Sequence, residues 1–167
     1  MNQLSTTSYP SWAAKYISLV SEEVLTEMES QIEEFPKFLN KLIEKVDYAY
    51  APGKWTIRQL TSHILDTERI LMYHLVCIAR GDIQNLAGFD EDNYVDQTLS
   101  NDRSLFEMGE EFRLLRKSNL LYIKALKPAE LDRIGSANHL NISAHALVYV
   151  LVGHIKHHQN IIAERYL

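Results

Sequence analysis

An all-α four-helix bundle with a long crossover connection is the fold class this sequence predicts, on three observations. Apolar residues recur at steps of three and four along most of the chain. No alternating apolar and polar run bounded by turn signals stands out as a strand. The periodic segments divide into four stretches of about 20–25 residues, each with one apolar face, which is what a four-helix bundle requires. With 167 residues, 46% of them hydrophobic, the chain reads as one domain spanning 1–167.

A short amphipathic piece from Trp12 to Leu19 comes first. The first long helix follows from Glu22, where Met28, Ile32, Phe35, Leu39, Leu42 and Val46 keep one face apolar; Pro36 in its middle is expected to kink or split it. Tyr48 to Lys54 is a connection. Thr56-Ile57-Arg58-Gln59 then matches the capping box that opens a helix, and this second helix should end near Arg80-Gly81. The polar stretch from Gly81 to Ser100 is too long for a simple antiparallel turn, so it is either a crossover or a functional rim. The third helix has the cleanest heptad, Leu105, Met108, Phe112, Leu115, Asn119, Tyr122 and Leu126, before Pro128. The fourth begins near Asn141. Its seam runs Ala144, Leu147, Leu151, His154, His158, Ile161, so two histidines stand where the pattern calls for core residues.

Composition narrows the function. Seventeen Lys+Arg against 22 Asp+Glu give a formal charge of −5, which, with no basic stripe, argues against nucleic-acid binding. The lone Cys77 rules out an intramolecular disulfide framework and a thiolate-rich zinc site. Met1 to Thr7 lack the basic and apolar regions of a secretory signal, and no apolar run reaches about 18 residues. The expectation is a cytoplasmic protein that does not enter a membrane.

The histidines are unevenly placed: five of seven lie between His139 and His158, where an even spread would put about one. On a helix, positions i and i+4 differ by about 40° in azimuth and about 6 Å in rise, so His154 and His158 can converge on one ion. His157 lies about 100° from His158 and reads as a rim or interface residue, or a solvated side chain. His145 is about 180° from His154 and falls outside the site, and His139 sits in a connection. A third ligand must come from elsewhere, and the second helix offers His63 and His74, about 16.5 Å apart along its axis, so only one can reach the same ion. His63 is preferred, because Asp66 and Thr67 at i+3 and i+4 could orient its ring. His74, on the Leu71/Ile78 stripe, reads as a satisfied core histidine.

These residues carry a resemblance. Gly53-Lys54-Trp55-Thr56-Ile57-Arg58 leads into His63 with Asp66 and Glu68. Ala79-Arg80-Gly81-Asp82, Gly88-Phe89-Asp90-Glu91, and Gly153-His154 with His157-His158 and Glu164-Arg165-Tyr166 follow. In this order, over nearly the whole chain, they resemble the DinB-like family of damage-inducible bacterial proteins. The resemblance implies a four-helix bundle with long crossover connectivity, often a homodimer, and a divalent metal, zinc or nickel, held by three histidines. By matching motif these are His63, His154 and His158.

The same resemblance implies a function. Relatives include thiol S-transferases using bacillithiol, mycothiol or related thiols, a mycothiol-dependent isomerase, and proteins described as metal-dependent hydrolases. The expected partners are thus a small thiol and an electrophilic small molecule. Three imidazoles on such an ion leave an open position, and the ion either lowers a bound water's pKa toward about 7 or deprotonates a bound thiol. Thiol transfer needs no side-chain nucleophile, in keeping with Cys77, which has no activating setting, and with the absence of a Ser/His/Asp pattern. Hydrolysis needs a general base, for which Asp66 and Glu68 are near in sequence, although Glu68 is about 140° around the helix from His63. A non-catalytic metal-binding stress-response module is the third alternative, its mark a fourth protein ligand.

The remaining candidates receive plainer readings. Arg116 could hold an anionic carboxylate, but with Arg113 and Lys117 beside it a solvated face is expected. Trp55 is expected to serve as a hydrophobic staple or core cap rather than a pocket wall. Asp90-Glu91-Asp92 lacks the glycine and ligand alternation of an EF-hand. Tyr48 and Tyr50 read as packing or interface residues.

Overall fold

The computed structural model describes residues 4–98 and 102–167. A short helix α1 (Ser11–Ile17) precedes α2 (Val24–Asn40) and α3 (Ile57–Ala79). A two-residue strand β1 (Asn85–Leu86) and a short helix α4 (Glu91–Asp96) lead to α5 (Leu105–Ala125). A turn of helix, α6 (Pro128–Leu131), and a hairpin, β2 (Ile134–Ala137) and β3 (Leu140–Ser143), run directly into α7 (Ala144–Arg165).

Local chemistry sets the boundaries of the long helices. Thr56 accepts from the Gln59 backbone N–H while the Gln59 side chain returns to the Thr56 N–H, which is the capping box expected there. The helix stops at Gly81, whose φ of +83° lets its N–H and that of Asp82 close back on the carbonyls of Ile78 and Cys77. Ser104 and Glu107 form a second capping box on α5, and Ser143 caps α7. Pro36 neither splits α2 nor sits exposed: the helix runs through it as 17 residues, and the buried ring faces Gly109 of α5, where a Cβ would stand 3.3 Å from it. Leu42 and Val46 lie beyond the end of α2, flanking a 3-10 turn.

The long helices form a ring in the order α2, α5, α3, α7, with α1 laid on α7. Helices that follow one another in sequence, α2 with α3 and α5 with α7, therefore stand on the diagonals, and residues 41–56 and 126–143 make the crossings. The chain between α3 and α5 links neighbouring helices, so it is not a diagonal crossing, and its Gly88, Phe89, Glu91 and Asp92 line the cavity described below. The core falls into two apolar halves, one around Met28, Leu75, Ile123 and Val148, the other around Phe35, Ile64, Phe112 and Ile155. Each such side chain contributes about 1.5–3 kcal/mol by leaving water.

The four-helix bundle is the one the sequence predicts. A minor three-stranded sheet is added to it, in which β1 pairs in parallel with β2 and β2 antiparallel with β3. Its hairpin turns on Asn138 and His139, both with positive φ, the conformation of the tight turn that suits strand twist. Four-residue strands are too short to show alternation, and Asn-His is not the Asn-Gly signal. One expectation is corrected. Arg116, expected on a solvated face, is instead fully buried between the two core halves. Its guanidinium donates to Glu68 Oε2 at 2.7 Å, Gln31 Oε1 at 3.0 Å and the Leu151 carbonyl at 3.1 Å. Asn119 donates to the other Glu68 oxygen at 2.8 Å, and Gln31 to the Val152 carbonyl at 3.0 Å. All four long helices are tied at one level. Among the described residues no helix is long and apolar enough to cross a membrane.

Candidate metal centre

His63 stands in the second turn of α3; His154 and His158 stand one turn apart, from the middle of α7 onward, and α7 packs beside α3. The fold brings the three together. The Nε2 atoms of His63 and His154 are 3.2 Å apart, those of His154 and His158 are 3.0 Å apart, and one ligand atom from each residue lies within 4.8 Å of the others. A tetrahedral ion with bonds of about 2.0–2.1 Å would hold its ligands about 3.3 Å apart, so the spacing fits. An imidazole nitrogen offers either one N–H or one lone pair, so His154 Nε2 can make only one of its two contacts as a hydrogen bond. A cation would accept all three lone pairs.

Electrostatics keeps those lone pairs free. Burial pushes His63 down to about 4, against a smaller opposing pull from Asp92. Burial, reinforced by His63, His157 and Lys15, pushes His158 down to about 2. His154 is held well below the ordinary histidine value by burial and by its histidine neighbours. All three are neutral at pH 7. For a group whose folded pKa is depressed, stability is full above the unfolded value, near 6.5, and declines as pH falls toward the folded value. The urea midpoint of the metal-free protein should therefore drop between pH 7.5 and 5.5, above the range where most carboxylates titrate. A variant with alanine at all three positions should lose most of that slope, and an equal slope in both proteins would contradict the assignment.

Aromatic rings wall the cluster. Trp55 packs 4.9 Å from His63, centroid to centroid, so it lines the cavity as well as joining the adjacent core, a role beyond the staple expected of it. Tyr16 of α1 meets His154 edge-on at 5.5 Å and His157 at 5.3 Å. That contact was not foreseen. Gly153 permits it, since a Cβ there would stand 2.1 Å from the Tyr16 carbonyl oxygen, and a glycine in mid-helix was the one available signal. The cluster opens on a cavity of about 490 Å³ whose walls are mainly apolar, with Lys15, Glu91 and Asp92 among its charged residues.

The other candidates separate cleanly. His157 lines the cavity half-buried, outside the trio. His74 is buried with Nε2 3.0 Å from the Ala87 carbonyl. His145 is buried beside Tyr149, and His139 sits in the hairpin turn. Thr67 Oγ1 lies 3.5 Å from His63 Nδ1, whereas Asp66 is on the outer face, 4.0 Å from Arg69. Glu68 serves Arg116 and is not free to act as a base. Asp90 caps α4, leaving Asp92 as the acidic group acting on His63.

The family model of the DinB superfamily matches residues 21–162. The chain belongs to that superfamily. A Bacillus mycoides (strain KBAB4) protein that carries the provisional name of a metal-dependent hydrolase is 26% identical to this DinB-superfamily chain over 133 residues, 75% of each. YfiT from Bacillus subtilis, described as a probable metal-dependent hydrolase with an unusual four-helix bundle topology, superposes with a TM-score of 0.74 at 19% identity, over 87% of both chains. The superposition shows that this DinB-superfamily chain has the same fold.

Proposed function

We propose that His63, His154 and His158 hold a divalent ion through their Nε2 atoms and that the chain is a metal-dependent transferase joining a small thiol to an electrophile. The observation that carries this is a cluster of three neutral imidazoles open to a mainly apolar cavity, with no fourth His, Cys, Asp or Glu joining it among the described residues. A closed, purely structural site would have that fourth ligand. When bound, a zinc-like or nickel-like ion supplies a Lewis-acidic position at which a thiol is held as thiolate. Among the described residues the cavity lining holds no cysteine or serine nucleophile, so in this reading the attacking sulfur is brought in. The thiol gives up its proton to solvent, the sulfur–carbon bond forms, and the bond to the leaving group breaks. Apolar walls and the Trp55 and Tyr16 rings exclude water from the electrophile.

Asp92 favours a second reading, hydrolysis, because its carboxylate lines the same cavity as His63 and could take a proton from an attacking water. The two separate in one assay. Zinc- or nickel-loaded protein is incubated with bacillithiol, mycothiol or glutathione and a chlorinated bimane, and in parallel with activated esters and amides. Metal-dependent conjugation, abolished by His158→Ala and insensitive to Asp92→Asn, is the expected result. Ester or amide cleavage that requires Asp92, with no conjugation, would establish hydrolysis instead.

A further inference from the structure

We propose that His74 is a specificity residue: it accepts a hydrogen bond from a hydroxyl or N–H on the far end of a substrate whose head is held at the three-histidine cluster. The inference rests on the metal-centre reading above and names the substrate class that such a centre would serve.

Two facing helices build the cavity as a trough. On α3, His63, Thr67, Leu71 and His74 line it in succession, and on α7 Val150 and Leu147 continue from the paired histidines along the opposite wall. His63 and His74 are thus the two ends of one stripe, about 16.5 Å apart along the helix axis, with aliphatic side chains between. A ligand that fills this space needs a metal-binding head and an apolar body. The far end is different in kind.

His74 is only 6% exposed, and its Nε2 lies 3.0 Å from the Ala87 carbonyl. A carbonyl only accepts, so Nε2 carries the hydrogen and Nδ1 carries the lone pair. Burial keeps the ring neutral. Among the described residues no donor reaches Nδ1, so His74 brings an unused acceptor to the cavity wall. Asn138 lines the same end from the hairpin turn, held at a φ of 49° and seated over Gly88, where a Cβ would stand 2.8 Å from its Cγ. Its amide adds a donor and an acceptor to the cavity lining. Once a ligand covers it, an accessible acceptor that the protein leaves unpaired discriminates, because an analogue without the matching donor leaves it unsatisfied. The substrate is accordingly an elongated small molecule with an apolar middle and a hydroxyl- or N–H-bearing tail.

The test uses cobalt-loaded protein and two ladders of probes, alkanethiols and alkane hydroxamic acids, each with a methyl or a hydroxyl at the tail and graded in length. Affinity is read from the visible cobalt spectrum. The hydroxyl should favour binding only in probes long enough to reach His74, and His74→Phe should cost those probes about tenfold while leaving methyl-tailed ones unchanged. His74→Gln, which keeps a donor for Ala87 and an acceptor for the tail, should recover most of the loss, and it carries the comparison if the Phe variant does not fold. Cobalt content is measured for every variant. A hydroxamate ladder that shows this preference while thiols do not bind would end the thiol reading and leave the role of His74 standing. Binding of either ladder with no tail preference, or with equal losses for both tails, would overturn the role of His74 and spare the metal centre. Binding by neither ladder would overturn the proposal together with the centre it rests on.

Discussion

His154→Ala is expected to cost the protein more than about a hundredfold in divalent-metal affinity, beyond the 10–100-fold typical of removing an outer-shell partner. The middle position of His154 is the reason. Its Nε2 is the one that approaches both of the others, at 3.2 and 3.0 Å, and without it His63 and His158 remain as two ligands on separate helices. Competition against a chromophoric chelator measures the affinity directly. Denaturation gives a second readout, since an ion present at about a hundred times its dissociation constant stabilises the folded state by about 2.7 kcal/mol, and that increment should vanish in the variant. Undiminished affinity in His154→Ala would remove this residue from the site.

Arg116→Ala should lower folding stability by about 3–5 kcal/mol, a large part of the 5–15 kcal/mol typical of a domain. The guanidinium lies between the two core halves and answers Glu68, Gln31 and the Leu151 carbonyl together. Removing it leaves the Glu68 carboxylate, 2% exposed, with only the Asn119 amide as partner. The cost comes from that stranded charge more than from a lost attraction. A double variant, Arg116→Met with Glu68→Leu, should therefore be more stable than Arg116→Ala, and urea unfolding of the set decides. A single variant within about 1 kcal/mol of the wild type would show that the pair carries little of the fold.

Most of the fold was legible because helices announce themselves locally. The three-and-four spacing placed the four long helices, the Thr56 box and Gly81 marked the ends of α3, and the one-turn spacing of His154 and His158 made their convergence readable. What was missed depended on partners distant in sequence. Arg116 meets Glu68 across 48 positions, and beside Arg113 and Lys117 it looks like part of a solvated face. The hairpin strands are too short for alternation to register, and their turn uses Asn-His. Tyr16 reaches the cluster only because α1 folds back onto Gly153, a contact made across most of the length of the chain. The 81–100 stretch offered two readings that local pattern could not separate; the ring order of the helices separates them, although its last residues lie outside those described.

The most direct test of the central claim is a crystal structure of zinc-loaded protein with the ion located by its anomalous signal. One peak per chain is predicted, within about 2.0–2.1 Å of the Nε2 atoms of His63, His154 and His158, its remaining coordination position facing the cavity. A peak bound elsewhere, or one closed by a fourth protein side chain, would contradict the account.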